Sequence, residues 1–241
     1  MIGIIFGILF YAATLLLVIG VGLRLRKYHK IPAPLVIPTT PAPITNRGVV
    51  GRLLREVVFF ESLFKGNKWT WLFGYLFHFG MFFVLLRHFR YFTDPVWGWV
   101  ASIQWLGIYA SYAMIIGLLG LWARRFFVDR VKYISAPSDH LMLVLLIGIG
   151  LSGLSMKYIW HTDVVALKVY MRGLLTLQWQ PLPTDPGLLL HLLLVLILMA
   201  IFPFSKLLHG PALAYTPTRN MKDTPREERH IAPWAERLDK D

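Results

Sequence analysis

From Pro186 to His209 the chain reads PGLLLHLLLVLILMAIFPFSKLLH, broken by a single lysine and by no acidic residue. A run this long and apolar is the right size to cross a hydrocarbon core of about 30 Å. Four more runs approach that length, and the five expected spans are residues 2–23, 71–92, 100–123, 139–160 and 186–208. With 56% of its residues hydrophobic, the chain is expected to be an all-α membrane protein, a five-transmembrane-helix bundle.

The placement of positive charge orients that bundle. Of 25 Lys and Arg, nine fall in 24–70, four in 124–138 and seven from Lys206 to the C-terminus. The remaining five are Arg87, Arg90, Lys157, Lys168 and Arg172. By the positive-inside bias the N-terminus lies outside, and the C-terminus and the two basic connections lie in the cytoplasm. The expected location is the cytoplasmic membrane of a bacterium or archaeon, with several passes. The net charge of +12 thus belongs beside lipid headgroups, and no nucleic-acid partner is expected. There is no cysteine, so disulfides and iron–sulfur clusters are excluded from this chain.

Four histidines sit where polar groups are expensive. His78 and His88 lie ten positions apart in the second span, about 80° out of phase and roughly 15 Å apart along a helix. His191 and His209 lie 18 positions apart in the last span; in one continuous helix they share a face, roughly 27 Å apart. Antiparallel running pairs His78 with His209 near the cytoplasm and His88 with His191 near the outside. Pro203 is expected to bend the helix and absorb the mismatch in spacing. An imidazole is neutral at physiological pH and offers a nitrogen lone pair, and two of them fill both axial positions of a haem iron. The four ligands expected are therefore enough for two haem b groups. Gly74 and Gly80 flank His78 and would let a porphyrin approach. The plainer alternative is that each histidine only hydrogen-bonds within the bundle.

Other residues carry two readings each. Arg87 and Arg90, beside His88, either snorkel to the interface or bind haem propionates. His140 has no partner at matching depth and reads as a surface or supporting residue. Ser138 reads as the N-cap of the fourth span, with Asp139 in its first turn; Thr184, Asp185 and Pro186 read as the start of the fifth. In the outer loop Lys157, His161 and Asp163 are either ordinary interface residues or the place where a quinol binds. No basic region precedes residues 2–23 and RLRK follows them, so a retained span is expected there. Five prolines between Ile31 and Thr45 make an extended connector. In the stretch 49–64, Leu53, Leu54, Val57, Val58 and Phe60 are expected on or near one face of a helix that lies at the headgroups or docks a partner.

The spacings of ten and 18, with FPFSKLLHG at 202–210, resemble the gamma subunit family of respiratory nitrate reductase, five-span dihaem cytochromes b; the similarity runs from Trp71 to Gly210. YISAPSDH (133–140), TDVVALK (162–168) and TPTRNMKDTPREERHIAPW (216–234) are similar to the DsrM branch, the haem b subunits of DsrMKJOP complexes in dissimilatory sulfur metabolism. The resemblance implies that His78, His88, His191 and His209 are the haem ligands. It also implies a cytoplasmic iron–sulfur partner like DsrK, further subunits like DsrJ, DsrO and DsrP, the small protein DsrC, and menaquinone or ubiquinone in the membrane. The chain then divides into a first span (1–23), a cytoplasmic connector with an amphipathic helix (24–70), a four-helix dihaem core (71–210) and a basic tail (211–241). One departure stands out: the nitrate-reductase relatives have a quinol-site lysine at the outer start of the third span, and residues 91–123 contain none. The alternatives kept are a quinol-oxidising subunit of a nitrate reductase or heterodisulfide reductase-type complex and, from another class, a transporter or anchor without haem. The subunit alone is expected to carry electrons for a quinone-linked oxidoreductase rather than to be a complete enzyme.

Overall fold

A computed structural model describes residues 1–31 and 41–223. Most of the proline-rich connector and the tail from residue 224 onward lie outside the described residues. The described part is helical throughout: α1 (Ile2–Lys30), α2 (Asn46–Phe59), α3 (Glu61–Gly66), α4 (Lys68–His88), α5 (Gly98–Ser102), α6 (Gln104–Phe127), α7 (Asp129–Ile134), α8 (Pro137–Tyr158), α9 (Val164–Leu175), α10 (Pro186–Ile201), α11 (His209–Ala212) and α12 (Pro217–Asn220). Five helices are long and apolar enough to cross a membrane: α1, α4 with its added turn to Tyr91, α6, α8, and α10 extended to Phe204. The five expected spans are thus all present.

Helix ends follow local chemistry. Asn67 caps α4, its Oδ1 accepting from the Thr70 amide at 2.8 Å. Asp185 caps α10: its Oδ1 accepts from the Leu188 amide at 2.9 Å and from the Thr162 hydroxyl at 2.8 Å, with Pro186 at the first helical position. The start of α8 differs from expectation. Pro137 opens the helix and Ala136 is the cap residue; Asp139 reaches back to accept from the Ala136 amide at 3.1 Å. Ser138 lies inside the first turn, because proline's fixed φ and missing N–H already suit the opening position.

Contacts divide the chain into two compact units, Met1–Leu17 with Leu63–Ile201, and Val18–Ser62 with Phe202–Asp241. In the first, α4 packs on α6, α6 on α8, and α8 on α10. One apolar core joins Phe77, Met114, Ile115, Leu118, Leu143 and Ile147 of α4, α6 and α8. A second gathers Leu167, Tyr170 and Met171 of α9 with Leu182, Leu188 and Leu192, against Phe6 and Phe10 of α1. Two phenols fasten α1 to that core: Tyr11 donates to the Leu174 carbonyl at 2.6 Å and Tyr170 to the Gly3 carbonyl at 2.8 Å. Burial pushes the Tyr170 phenol up to about 12, so it stays a donor at any ordinary pH.

The turn after α4 is tied to α9 by ions. Asp94 accepts from Lys168 Nζ at 2.9 Å and pairs also with Arg172. The Lys168 hydrogen bond, then the charges of Lys168 and Arg172, hold its carboxyl below the usual aspartate range. A folded value below the unfolded one means that these pairs stabilise above the ordinary value of about 3.9 and fade as pH falls through the depressed one. Amide protection factors in α9, taken relative to intrinsic rates, are therefore expected to fall below about pH 4. In Asp94→Asn that acid step should be missing; its persistence would assign the step to another carboxylate.

In the second unit, α2 meets α12, and Arg219 donates to Glu56 at 2.9 Å. Gly20 of α1 lies against Pro203, where an added Cβ would sit 2.7 Å from the proline ring. The last span is interrupted here, contrary to the single helix expected through His209. The α-helix stops at Ile201, a tight turn covers Phe202–Phe204, and Ser205 is extended at φ −97°, ψ 168°. Pro203 cannot donate to the preceding turn and its ring crowds that turn, so the helical ladder ends rather than bending. The helical phase that put His191 and His209 on one face does not carry past Ile201.

Candidate haem site

The four histidines share one local device. In α4, His78 Nδ1 lies 2.8 Å from the Gly74 carbonyl and His88 Nδ1 2.6 Å from the Val84 carbonyl, each one turn back. In α10, His191 Nδ1 lies 3.1 Å from the Ile149 carbonyl of α8 and 3.1 Å from Ser152 Oγ. His209 Nδ1 lies 3.1 Å from the Lys206 carbonyl. A carbonyl only accepts, so the proton must be on Nδ1 in each ring and the lone pair on Nε2. That is the tautomer a metal-ligating histidine adopts when its other nitrogen is held by a backbone oxygen.

Within the first unit, His88 and His191 come together. Their ring centroids are 6.5 Å apart and their planes differ by 14°. Two metal–imidazole bonds of about 2 Å, plus the distance from each nitrogen to its ring centre, place the centroids of an axial pair roughly 6 Å apart. The observed pair meets that spacing. His191 is buried at 9% exposure, and Gly153 of α8 lets its ring approach, with the ring's Cε1 3.4 Å from where a Cβ would stand. Among the described residues no group of three or more His, Asp or Glu side chains is placed to hold a metal ion. Two imidazoles at this separation would suit an iron whose remaining ligands come from a porphyrin. His78 belongs to the first unit and His209, which is exposed, to the second.

The arginines beside His88 converge on a residue the sequence did not single out. Gln104 Oε1 accepts from Arg87 Nε at 3.3 Å and from Arg90 Nη1 at 2.9 Å, while its own Nε2 donates to the Val100 carbonyl at 2.9 Å. The Arg87 stem lies on Gly107 of α6, where a Cβ would meet its Cβ at 3.1 Å. A glutamine opening a span carries no signature of its own. Only the meeting of α4 and α6 gives it a role, fixing two guanidinium groups at the His88 level.

Several expected roles change. Gly80 does not face a porphyrin: an added Cβ would stand 2.5 Å from the Ala110 carbonyl oxygen and 2.7 Å from the Met114 amide of α6. Gly74 keeps open space, with only Leu63 at 3.7 Å, and its carbonyl orients His78. His140 accepts from Trp122 Nε1 at 3.2 Å across the contact of α6 with α8. In the outer loop Asp163 is the cap of α9, its Oδ1 accepting from the Val165 and Ala166 amides at 2.9 and 3.0 Å. Lys157 Nζ stands 5.0 Å from the centre of the Tyr158 ring, and exposed His161 bonds the Ile159 carbonyl.

A helical membrane protein with five candidate spans and a facing pair of intramembrane imidazoles is of the cytochrome b-like class. The chain belongs to the nitrate reductase gamma subunit family, whose pattern it matches over residues 62–225. It is 35% identical over 280 aligned positions to an Hdr-like menaquinol oxidoreductase cytochrome b-like subunit of Archaeoglobus fulgidus, covering 97% of this chain and 84% of that one. A subunit of the same description from Archaeoglobus profundus is 30% identical over 274 positions, covering 93% of this chain and 80% of the relative.

Proposed function

We propose that this chain is the haem b membrane subunit of a heterodisulfide-reductase-like menaquinol oxidoreductase, exchanging electrons between menaquinol and an iron–sulfur partner on the cytoplasmic side. The observation that carries it is the His88–His191 pair, two near-parallel rings 6.5 Å apart with their Nδ1 protons held by backbone carbonyls. In this reading His88 and His191 hold one haem b, His78 and His209 hold a second, and Arg87 and Arg90 meet propionates at the outer end. Haem b, when bound, would supply one-electron redox chemistry. The chain's own work is to present Nε2 lone pairs in fixed orientation and, by burying His191 to 9% exposure, to keep water away.

The basic connections place the N-terminus outside and the C-terminus in the cytoplasm, and residues 71–210 serve as the haem-holding core. Lacking cysteine, the chain must hand electrons to clusters carried by another subunit. The printed descriptions of both relatives favour the heterodisulfide-reductase-type assembly over nitrate reductase. The narrower reading, a DsrM-type subunit of dissimilatory sulfur metabolism with partners like DsrK, DsrJ, DsrO and DsrP, rests on the segments 133–140, 162–168 and 216–234.

The test is a reduced-minus-oxidised spectrum of the purified complex with menadiol as reductant, together with a haem assay. Low-spin b bands that appear with menadiol, at two haems per chain, are the expected result. A chain that binds no haem, or one whose haem responds to dithionite but not to menadiol, would overturn the reading.

A further inference from the structure

Helix α2 is built inside out. Its sheltered side holds charges beside Val49: Arg52 is 9% exposed, and the half-buried Glu56 receives Arg219 Nη1 at 2.9 Å and the Ser62 hydroxyl at 2.7 Å. Its open side is apolar. Val50, Leu54, Val57 and Val58, at positions i, i+4, i+7 and i+8, form one stripe and are each about half exposed. Water would select the reverse arrangement, with the ions outside and the branched aliphatics within.

We propose that α2 lies on the cytoplasmic surface of the bilayer with this stripe in the acyl–headgroup boundary, and that anionic phospholipid is what covers it. The charges beside the stripe fit that occupant. Arg47 and Arg55 border it on the exposed side; Glu56 turns away to Arg219, and Glu61 meets Arg55 at 2.7 Å. The chain on either side returns to the same headgroups: α1 ends in Lys27, His29 and Lys30, and the next span opens at Lys68. A span that ends on one face obliges the next to start there, so both flanks hold α2 at that surface. Thr45, whose Oγ1 accepts from the Gly48 amide at 3.1 Å, sets where the helix begins. A basic helix with an apolar stripe and a short tether at each end lies in the interface plane instead of crossing it.

Because the chain has no cysteine, Leu54→Cys and Val57→Cys each provide a single labelling position on an exposed residue. The full-length chain carrying a bimane label is placed in nanodiscs containing phosphatidylglycerol and measured alone and after reassembly with the other subunits of its complex. Brominated acyl chains are expected to quench the label by about half or more, and iodide severalfold less than it quenches the free bimane–cysteine adduct. Iodide quenching equal to that of the free adduct would put the stripe in water and overturn the proposal. Protection from both quenchers would also overturn it, showing that protein covers the stripe: either a partner subunit or residues 224–241.

Discussion

His88→Ala or His191→Ala is expected to strip one haem b from the protein and to abolish its reduction by menadiol, while the helices remain folded. Altering a residue that only orients a ligand typically costs about 10–100-fold in metal affinity, so deleting the ligand itself should empty the position. The two variants should behave alike, since the two rings lie 6.5 Å apart and would hold the same haem together. Haem per chain, measured after gentle solubilisation, should fall by one equivalent in either variant. Ser152→Ala should lie between these variants and wild type: the Ile149 carbonyl still holds His191 Nδ1 at 3.1 Å, but the hydroxyl beside it is gone. Full haem content in His88→Ala would refute the assignment of the pair.

The second large effect concerns the α4–α6 crossing. Gly80→Val is expected to cost about 3 kcal/mol or more in resistance to denaturation in detergent. The first added atom would stand 2.5 Å from the Ala110 carbonyl oxygen, and a backbone atom cannot swing aside. Gly117 is the counterpart on α6, where a Cβ would lie 2.6 Å from the Phe77 amide and 2.7 Å from the Phe73 carbonyl oxygen. Small residues let membrane helices approach until their backbones touch, in a solvent that supplies no hydrophobic drive between them. Gly22→Val is the matched control: no atom lies within 4 Å of its added Cβ, so it should be close to neutral. Equal losses in the two variants would show that helix propensity, and not this contact, sets the cost.

The cap at Asp185 with Pro186 and the presence of the five spans depend on neighbours within a turn or on composition over about 20 residues. Errors arose where a local rule met a distant partner or a backbone change. Ser138 looked like a cap because serine often is one, yet Pro137 had already opened the helix. Phe60 was placed on the face of a continuing helix, but its φ of 51° ends α2 and starts α3 one residue later. Pro203 was expected to bend a helix that in fact ends.

The linear order of residues was sufficient to establish a helical membrane protein of the cytochrome b-like class, because hydrophobic length and the cost of a buried imidazole are properties of the chain itself. It also singled out His88 and His191 as candidates, two rings that the fold brings to 6.5 Å between centres. The tertiary structure decided what those residues touch. It turned Gly80 from a porphyrin neighbour into a helix contact, drew Arg87 and Arg90 onto Gln104, and turned the charges of α2 inward to meet Arg219, 163 positions from Glu56. Such pairings depend on how helices cross, and periodicity along one helix carries no information about the surface of another.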